Sequence, residues 1–184
     1  VRYQTSGNFN NYSYNEIQPF YENNFDGISL VHNGNIVNID ELHIFCMKNN
    51  IKLNTNSDSE ILFKIFIFYL KSYISYLHDI SNDIIKKIVK NIYDLCRGSY
   101  SVIIMINNYG LVVFRDVYGI RPLVYNINAN YIAIASETIA FEDYNNYKNV
   151  NNGDVIIMRN VANVANSLTI DIQNIYNYPL TPCL

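Results

Sequence analysis

Two consecutive segments of almost unbroken apolar residues, 98–106 and 111–114, constrain the fold more than any other feature. Asn107, Asn108 and Gly110 lie between them, and these are turn-forming residues, so the two segments predict an antiparallel hairpin. A strand with one solvated face alternates polar and apolar residues, whereas these strands do not. The sheet that contains them is therefore expected to be covered on both faces.

The remaining pattern predicts which layers cover that sheet. Helical periodicity or capping signals mark three helices, and shorter apolar runs mark further strands after residue 120. We predict an α+β fold in which two mostly antiparallel sheets pack together with the helices outside. The helices are predicted at 39–49, 58–77 and 82–96, and the further strands at 123–127, 131–136, 153–158 and 168–175.

Composition excludes several classes of protein. The net charge of −3 and the absence of a basic stripe argue against nucleic-acid binding. Lys64 and Lys71 interrupt the apolar run 61–77, which favours a buried helix over a membrane span. The three cysteines, Cys46, Cys96 and Cys183, are far apart and odd in number. They indicate neither a disulfide framework nor a zinc site, and with no signal peptide visible we expect a cytoplasmic location.

The segment 28–38 is the first candidate for a functional site. A strand at 28–31 is expected to enter an Asn33-Gly34 turn, followed by a helix with Asn38 as its N-cap and Glu41 completing a capping box. The Gly34 N–H and the Asn33 side-chain amide would be two neighbouring donors, as an oxyanion hole requires. The alternative is an ordinary turn, since Asn-Gly is a common turn dipeptide.

The polar segment 54–60 is the second candidate. Ser57 and Glu60 have the spacing of a capping box, which would place Asp58 in the first turn of the long helix. There the carboxylate would complement the helix dipole, and it could also bind a substrate ammonium group. Arg2 could bind a carboxylate bidentately, or it could be a surface arginine.

Five motifs follow one another in a recognisable order and spacing. They are Val-Arg-Tyr-Gln-Thr-Ser-Gly (1–7), Gln-Pro-Phe (18–20), His-Asn-Gly-Asn (32–35), Ser-Asp-Ser-Glu (57–60) and Arg-Asp-Val-Tyr-Gly-Ile-Arg-Pro-Leu (115–123). With them the chain resembles the glutaminase domain of the amidophosphoribosyltransferases, which are class II glutamine amidotransferases, over residues 1–160. The motifs Gly-Ile-Arg-Pro-Leu and Gln-Pro-Phe resemble this family more than the hexosamine-forming enzymes or the asparagine synthetases.

The resemblance implies a fold and a set of roles. The fold is the N-terminal-nucleophile fold, a four-layer αββα sandwich. Arg2, with Thr5 beside it, is expected to hold the α-carboxylate of glutamine, and Asp58, helped by the Gly34 carbonyl, its α-ammonium group. The Asn33 side chain and the Gly34 N–H are expected to form the oxyanion hole. No cofactor is expected in this part of the protein.

The implied reaction releases ammonia from glutamine for transfer to phosphoribosyl pyrophosphate, giving phosphoribosylamine for purine synthesis. The family nucleophile is an N-terminal cysteine whose own α-amine is the general base. That position would precede Val1, so we expect the 184-residue chain to be an inactive piece of a longer enzyme. Two alternatives remain: a non-catalytic glutamine-binding or scaffold module, and the glutaminase domain of a sugar-phosphate amidotransferase.

The rest of that longer enzyme is expected after residue 160. Residues 161–184 would be a linker and the start of a phosphoribosyltransferase domain, where Mg²⁺ is expected. Some relatives have a cysteine near the position of Cys183 that binds an iron–sulfur cluster, but one cysteine without its partners cannot hold a cluster. The full-length enzyme is expected to be a homo-oligomer, with glutamine and phosphoribosyl pyrophosphate as its substrates and neither nucleic acid nor membrane as a partner.

Overall fold

The computed structural model describes residues 16–127, 132–141, 146–160 and 168–176. Arg2, Thr5 and Cys183 lie outside these ranges. The helices are α1 (Ile39–Lys48), α2 (Asp58–Tyr73) and α3 (Asn82–Leu95), with short 3₁₀ turns at Leu77–Asp79 and Thr138–Ala140. The strands are β1 (Phe20–Glu22), β2 (Ile28–Ile36), β3 (Gly98–Ile106), β4 (Gly110–Arg115), β5 (Val124–Ile127), β6 (Ile132–Ala135), β7 (Lys148–Asn149), β8 (Asp154–Asn160) and β9 (Leu168–Asn174).

Two antiparallel sheets form the centre of the fold, as predicted. The larger has six strands in the order β1-β2-β3-β4-β8-β9, and the smaller has three in the order β6-β5-β7. One apolar cluster joins α1, α2 and α3 to one face of the larger sheet. A second cluster joins its other face to the smaller sheet. The α+β fold is confirmed, and the described residues contain its helix, sheet and sheet layers.

The predicted hairpin is confirmed as β3 and β4, at the centre of the larger sheet. Each strand has buried side chains on both faces, although Met105 near the end of β3 is exposed. Ile104 and Val112 belong to the cluster beneath the helices, whereas Val113 belongs to the cluster beneath the smaller sheet. The lack of alternation in the sequence therefore has the expected cause, which is burial of both faces.

The predicted Asn33-Gly34 turn is wrong. Strand β2 continues through both residues to Ile36, and Gly34 pairs with Tyr100 of β3. A Cβ at position 34 would lie 2.1 Å from the carbonyl oxygen of Ser99 and 2.6 Å from the Cα of Tyr100. Glycine is therefore present because two backbones approach closely, rather than because the chain reverses.

The helix starts are confirmed, but neither predicted capping box forms. Asn38 is the N-cap of α1, yet its side chain accepts from the N–H of Arg97 and donates to the carbonyl of Leu95. It thereby joins α1 to the end of α3. Ser57 is the N-cap of α2 without a side-chain capping bond, and Glu60 instead accepts from the N–H groups of Asn54 and Thr55. Helix α2 ends at Tyr73, before the predicted residue 77.

The prediction that the lysines of α3 form a solvated face is wrong for one of them. The sequence suggests that Lys86, Lys87 and Lys90 form a solvated face. Lys86 is instead largely buried, with Nζ 2.7 Å from Oδ2 of Asp171 on β9. The strand predicted at 168–175 thus forms, pairs with β8 and is tied to a helix.

The domain boundary at residue 160 stays a prediction. Among the described residues, no helix is both long and apolar enough to cross a membrane.

The Lys86–Asp171 pair predicts a pH-dependent contribution to stability. The hydrogen bond from Lys86 holds the pKa of Asp171 below its usual range. A carboxylate whose pKa is lower in the folded than in the unfolded state stabilises the folded state. This stabilisation is fully present above the unfolded-state pKa, which is near 4, and it is lost as the pH falls through the folded-state pKa. Lys86→Met should therefore lower the free energy of unfolding by about 1 kcal/mol at pH 7 and by less at pH 3. Urea denaturation at both pH values measures this, with the exposed Lys87→Met as control; equal losses at both would contradict it.

Candidate active site

The site is built on the edge of β2 that faces away from β3. The N–H of Val37 donates to Arg97 and the N–H of Asn107 donates to Gly27, which shows that the odd-numbered residues of β2 bond to β3. Even-numbered residues therefore direct their N–H and C=O groups to the opposite edge. Strand β1 pairs with that edge only from Ile28 to Leu30. Beyond Leu30, the backbone groups of His32, Gly34 and Ile36 are available to other partners.

Two of these three amides bind side chains that define the ends of the site. The His32 N–H donates to Oε1 of Gln18 at 2.6 Å, and the Ile36 N–H donates to Oδ2 of Asp58 at 3.1 Å. The Gly34 N–H lies between them, about 7 Å along the strand from each. Tyr100, which faces Gly34, uses its own N–H and C=O to bond Asp116 on the β4 side. The Gly34 amide is thus outside the β2–β3 ladder.

Asp58 lies at the start of α2 with its carboxylate turned to the edge of β2. Its side chain is 13% exposed, so the charge is partly desolvated but still accessible. Oδ2 accepts from Ile36, and Oδ1 lies 3.3 Å from the hydroxyl of Ser59. The predicted ammonium-binding carboxylate and the predicted oxyanion amide therefore meet at one edge. The Gly34 carbonyl, which points the same way as its N–H, lies on the Asp58 side of that amide.

Asn33 lies on the other face of β2 and is exposed. Its neighbours His32 and Gly34 face the helices, and a Cβ built on Gly34 would be 3.0 Å from Nε2 of His32. The Asn33 side chain is thus adjacent in sequence to the Gly34 N–H, but it projects from the face of β2 opposite the helices, and its expected role as an oxyanion donor stays a prediction. Arg2 and Thr5 lie outside the described residues, so their expected roles stay predictions.

Three further residues belong to the site, and none was predicted as a site residue: Gln18, His32 and Ser59. They meet where β2 approaches the start of α2, and Nδ1 of the buried His32 is 2.8 Å from the Ser59 hydroxyl. Gln18 also reaches Ser59, with Nε2 3.3 Å from the same oxygen. All three belong to the motifs that carry the family resemblance, which was the available signal.

The described cysteines are not nucleophiles for this site. Cys46 and Cys96 are both buried in the core beneath the helices. Burial raises the pKa of Cys46, and it raises that of Cys96 to about 12. A thiol with a raised pKa is a poor nucleophile at neutral pH.

In the described part of the chain, no three His, Cys, Asp or Glu side chains form a group that could hold a metal ion.

The arrangement suits a small molecule with an ammonium group at one end and a carbonyl group at the other. A carboxylate binds the ammonium end, and amide donors at a fixed distance along the same strand can stabilise an oxyanion. Because both are attached to a rigid sheet, the distance between them is set before the ligand binds.

Comparison with known proteins identifies the family. The family model described as a glutamine amidotransferase domain matches residues 10–143. The amidophosphoribosyltransferase of Saccharomyces cerevisiae is 35% identical over 167 residues, covering 86% of this chain and 32% of the relative. That of Escherichia coli is 39% identical over 148 residues, covering 77% of this chain and 28% of the relative. The chain thus spans about a third of the length of these relatives.

The solved structures give the same result. The glutamine phosphoribosylpyrophosphate amidotransferase from B. subtilis, complexed with ADP and GMP, superposes with a TM-score of 0.68 and 25% identity. The match covers 89% of this chain and 33% of that one. A second structure, described as the allosteric regulatory enzyme of purine biosynthesis, superposes with a TM-score of 0.69 over 89% of this chain and 32% of its own.

Proposed function

This chain belongs to the glutamine amidotransferase family, and we propose that it is the glutaminase part of an amidophosphoribosyltransferase. The parent protein would release ammonia from glutamine and transfer it to phosphoribosyl pyrophosphate, giving phosphoribosylamine for purine synthesis. The observation that carries the glutaminase assignment is the Gly34 amide, which is outside the β2–β3 ladder and shares its strand edge with Asp58.

In the proposed reaction, the α-ammonium group of glutamine binds Asp58 and the side-chain carbonyl oxygen lies against the Gly34 N–H and the Asn33 amide. A cysteine thiolate, supplied from outside the described residues, attacks the amide carbon. The resulting oxyanion is stabilised by the two donors. The α-amine of that cysteine, which took the thiol proton, delivers it to the departing nitrogen, and ammonia leaves as the carbonyl re-forms in a thioester. Water then cleaves the thioester to glutamate. Holding the ammonium end fixes the position of the amide for attack.

The rest of the proposal concerns the parent protein. Its acceptor would be phosphoribosyl pyrophosphate, with Mg²⁺ in the transferase part, and it would be a cytoplasmic homo-oligomer that binds neither nucleic acid nor membrane. The names of the relatives and their greater length support the acceptor assignment. Pyrophosphate release from phosphoribosyl pyrophosphate that depends on glutamine, assayed with the full-length protein, tests it. Transfer to a sugar phosphate instead would support the alternative acceptor.

Asp58→Asn tests the ammonium site. The amide keeps an oxygen for the Ile36 N–H but loses the negative charge that attracts the ammonium group. A hydrogen bond to a charged group contributes about 1.5–3 kcal/mol, so KM for glutamine should rise about 10- to 150-fold. Steady-state glutamine hydrolysis by the full-length protein measures this. If that protein binds glutamine without hydrolysing it, as a sensing module would, calorimetry gives Kd instead.

Asp40→Asn is the matched control, because Asp40 is an exposed aspartate in the first turn of α1. It should leave KM within about twofold of wild type, since it removes the same charge from a helix start outside the site. An Asp58→Asn variant with unchanged KM would refute the proposed ammonium site.

A further inference from the structure

The Ser59 hydroxyl is the centre of a buried hydrogen-bond network beside Asp58. Ser59 is 1% exposed and is the second residue of α2. Its oxygen lies 3.3 Å from Nε2 of Gln18, 2.8 Å from Nδ1 of His32 and 3.3 Å from Oδ1 of Asp58. These partners come from the segment before β1, from β2 and from α2. Ser59 therefore joins three parts of the chain at one atom.

The donors and acceptors around Ser59 indicate which atom carries each proton of this network. Gln18 accepts the His32 N–H with Oε1, so its Nε2 faces Ser59 and must donate. An ionised Asp58 can only accept, so the one proton of the Ser59 hydroxyl goes to Asp58. The oxygen of Ser59 then accepts from Gln18 and from His32. His32 must consequently carry a proton on Nδ1.

We propose that Ser59 is a positioning residue that orients Asp58 for the substrate's ammonium group. This inference rests on the proposed function of the site. Ser59 holds Oδ1 while the Ile36 N–H holds Oδ2, so the carboxylate is fixed between α2 and the edge of β2. Each oxygen keeps a lone pair with which it can accept from the ammonium group.

Without the Ser59 hydroxyl, His32 would compete with the substrate's ammonium group for the Asp58 carboxylate. Nδ1 of His32 is 3.9 Å from Oδ1 of Asp58, and Ser59 is bonded to both. Without Ser59, the buried Nδ1–H needs a new acceptor, and Asp58 is the charged acceptor beside it. We expect the carboxylate to turn toward His32 and away from Ile36 and the ligand.

Ser59→Ala should therefore raise KM for glutamine about tenfold in the full-length protein, as expected for one charge-assisted hydrogen bond, while kcat changes less than about threefold. Ser59→Thr keeps the hydroxyl and should restore KM. Ser72→Ala is the control, because Ser72 is an exposed serine in the last turns of α2 that bonds only its own helix. If glutamine is bound without hydrolysis, the same ratios apply to Kd.

Nitrogen-15 NMR of the labelled histidines gives a second test, which does not depend on kinetics. Wild-type His32 should carry its proton on Nδ1, and Ser59→Ala should shift that resonance. A neutral His32 with its proton only on Nε2 would overturn the inference, as would an unchanged KM in Ser59→Ala. If Asp58→Asn raises KM and Ser59→Ala does not, only this inference fails. If neither variant changes KM, the proposed function fails with it.

Discussion

Asp116→Ala is expected to lower the free energy of unfolding by about 3–5 kcal/mol, the largest stability loss that we predict for a single substitution. Asp116 follows β4 and is completely buried. Its Oδ2 accepts from the N–H groups of Tyr100 and Arg121, and its Oδ1 accepts from those of Tyr118 and Ile120. Alanine would leave four backbone donors without this acceptor, and each buried unsatisfied group costs about 1–3 kcal/mol. Tyr100 is buried, whereas Tyr118, Ile120 and Arg121 are exposed residues, so water offsets part of the loss at those three.

Urea denaturation of the variant and the wild type measures this loss. Asp116→Asn should lose less, because its one carbonyl oxygen still accepts. Asp94→Ala is the control, since the Asp94 side chain is 49% exposed and pairs with Lys90 one turn earlier in α3. It should change stability by no more than about 0.5 kcal/mol. A loss below about 1 kcal/mol for Asp116→Ala would show that water replaces the carboxylate.

Asp116 also shows what the sequence could not predict. Its segment reads as a charged loop between apolar strands, and nothing in residue type separates a solvated aspartate from one that organises the loop backbone. The fold determines this, because Asp116 bonds Tyr100 on β3 and three residues of its own loop. The sequence could not predict the partners of Glu60 and Asn38 either. Both were expected to form capping boxes, but Glu60 accepts from the N–H of Asn54 and Asn38 from the N–H of Arg97.

The apolar residues predicted the helices and strands correctly, whereas the polar and glycine residues predicted turns and caps less well. Helices, hairpin and sheet layers were predictable because burial acts on whole segments and leaves periodicity in the sequence. The Asn33-Gly34 turn was mispredicted because glycine serves two purposes, positive φ in turns and close backbone approach in sheets. Only the position of β3 against Gly34 decides between them.

The correction nevertheless supports the functional hypothesis. A turn would have left the direction of the Gly34 N–H undetermined, whereas a strand fixes it by alternation. That amide shares an edge with the Ile36 amide, which holds Asp58. The proposed oxyanion and ammonium sites would therefore have a spacing set by the strand itself.

Asn33→Ala is expected to lower kcat for glutamine hydrolysis by about 10²–10³-fold, the usual cost of removing one oxyanion donor. KM should change little, because the Asn33 amide acts on the charge that develops in the transition state. Asn33 is exposed and on the face of β2 opposite His32, so the substitution should not destabilise the core. In the full-length protein, transfer from added ammonia should be unaffected, since it bypasses glutamine hydrolysis.

Asn35→Ala is the matched control for this experiment. Asn35 is an exposed asparagine two residues further along β2, so its side chain lies on the same face as that of Asn33. It is displaced from the Gly34 amide toward the end of the strand that pairs with Gly98. If both variants lower kcat equally, the effect comes from the strand surface rather than from a positioned donor. A selective loss in Asn33→Ala would instead assign the second oxyanion donor to Asn33.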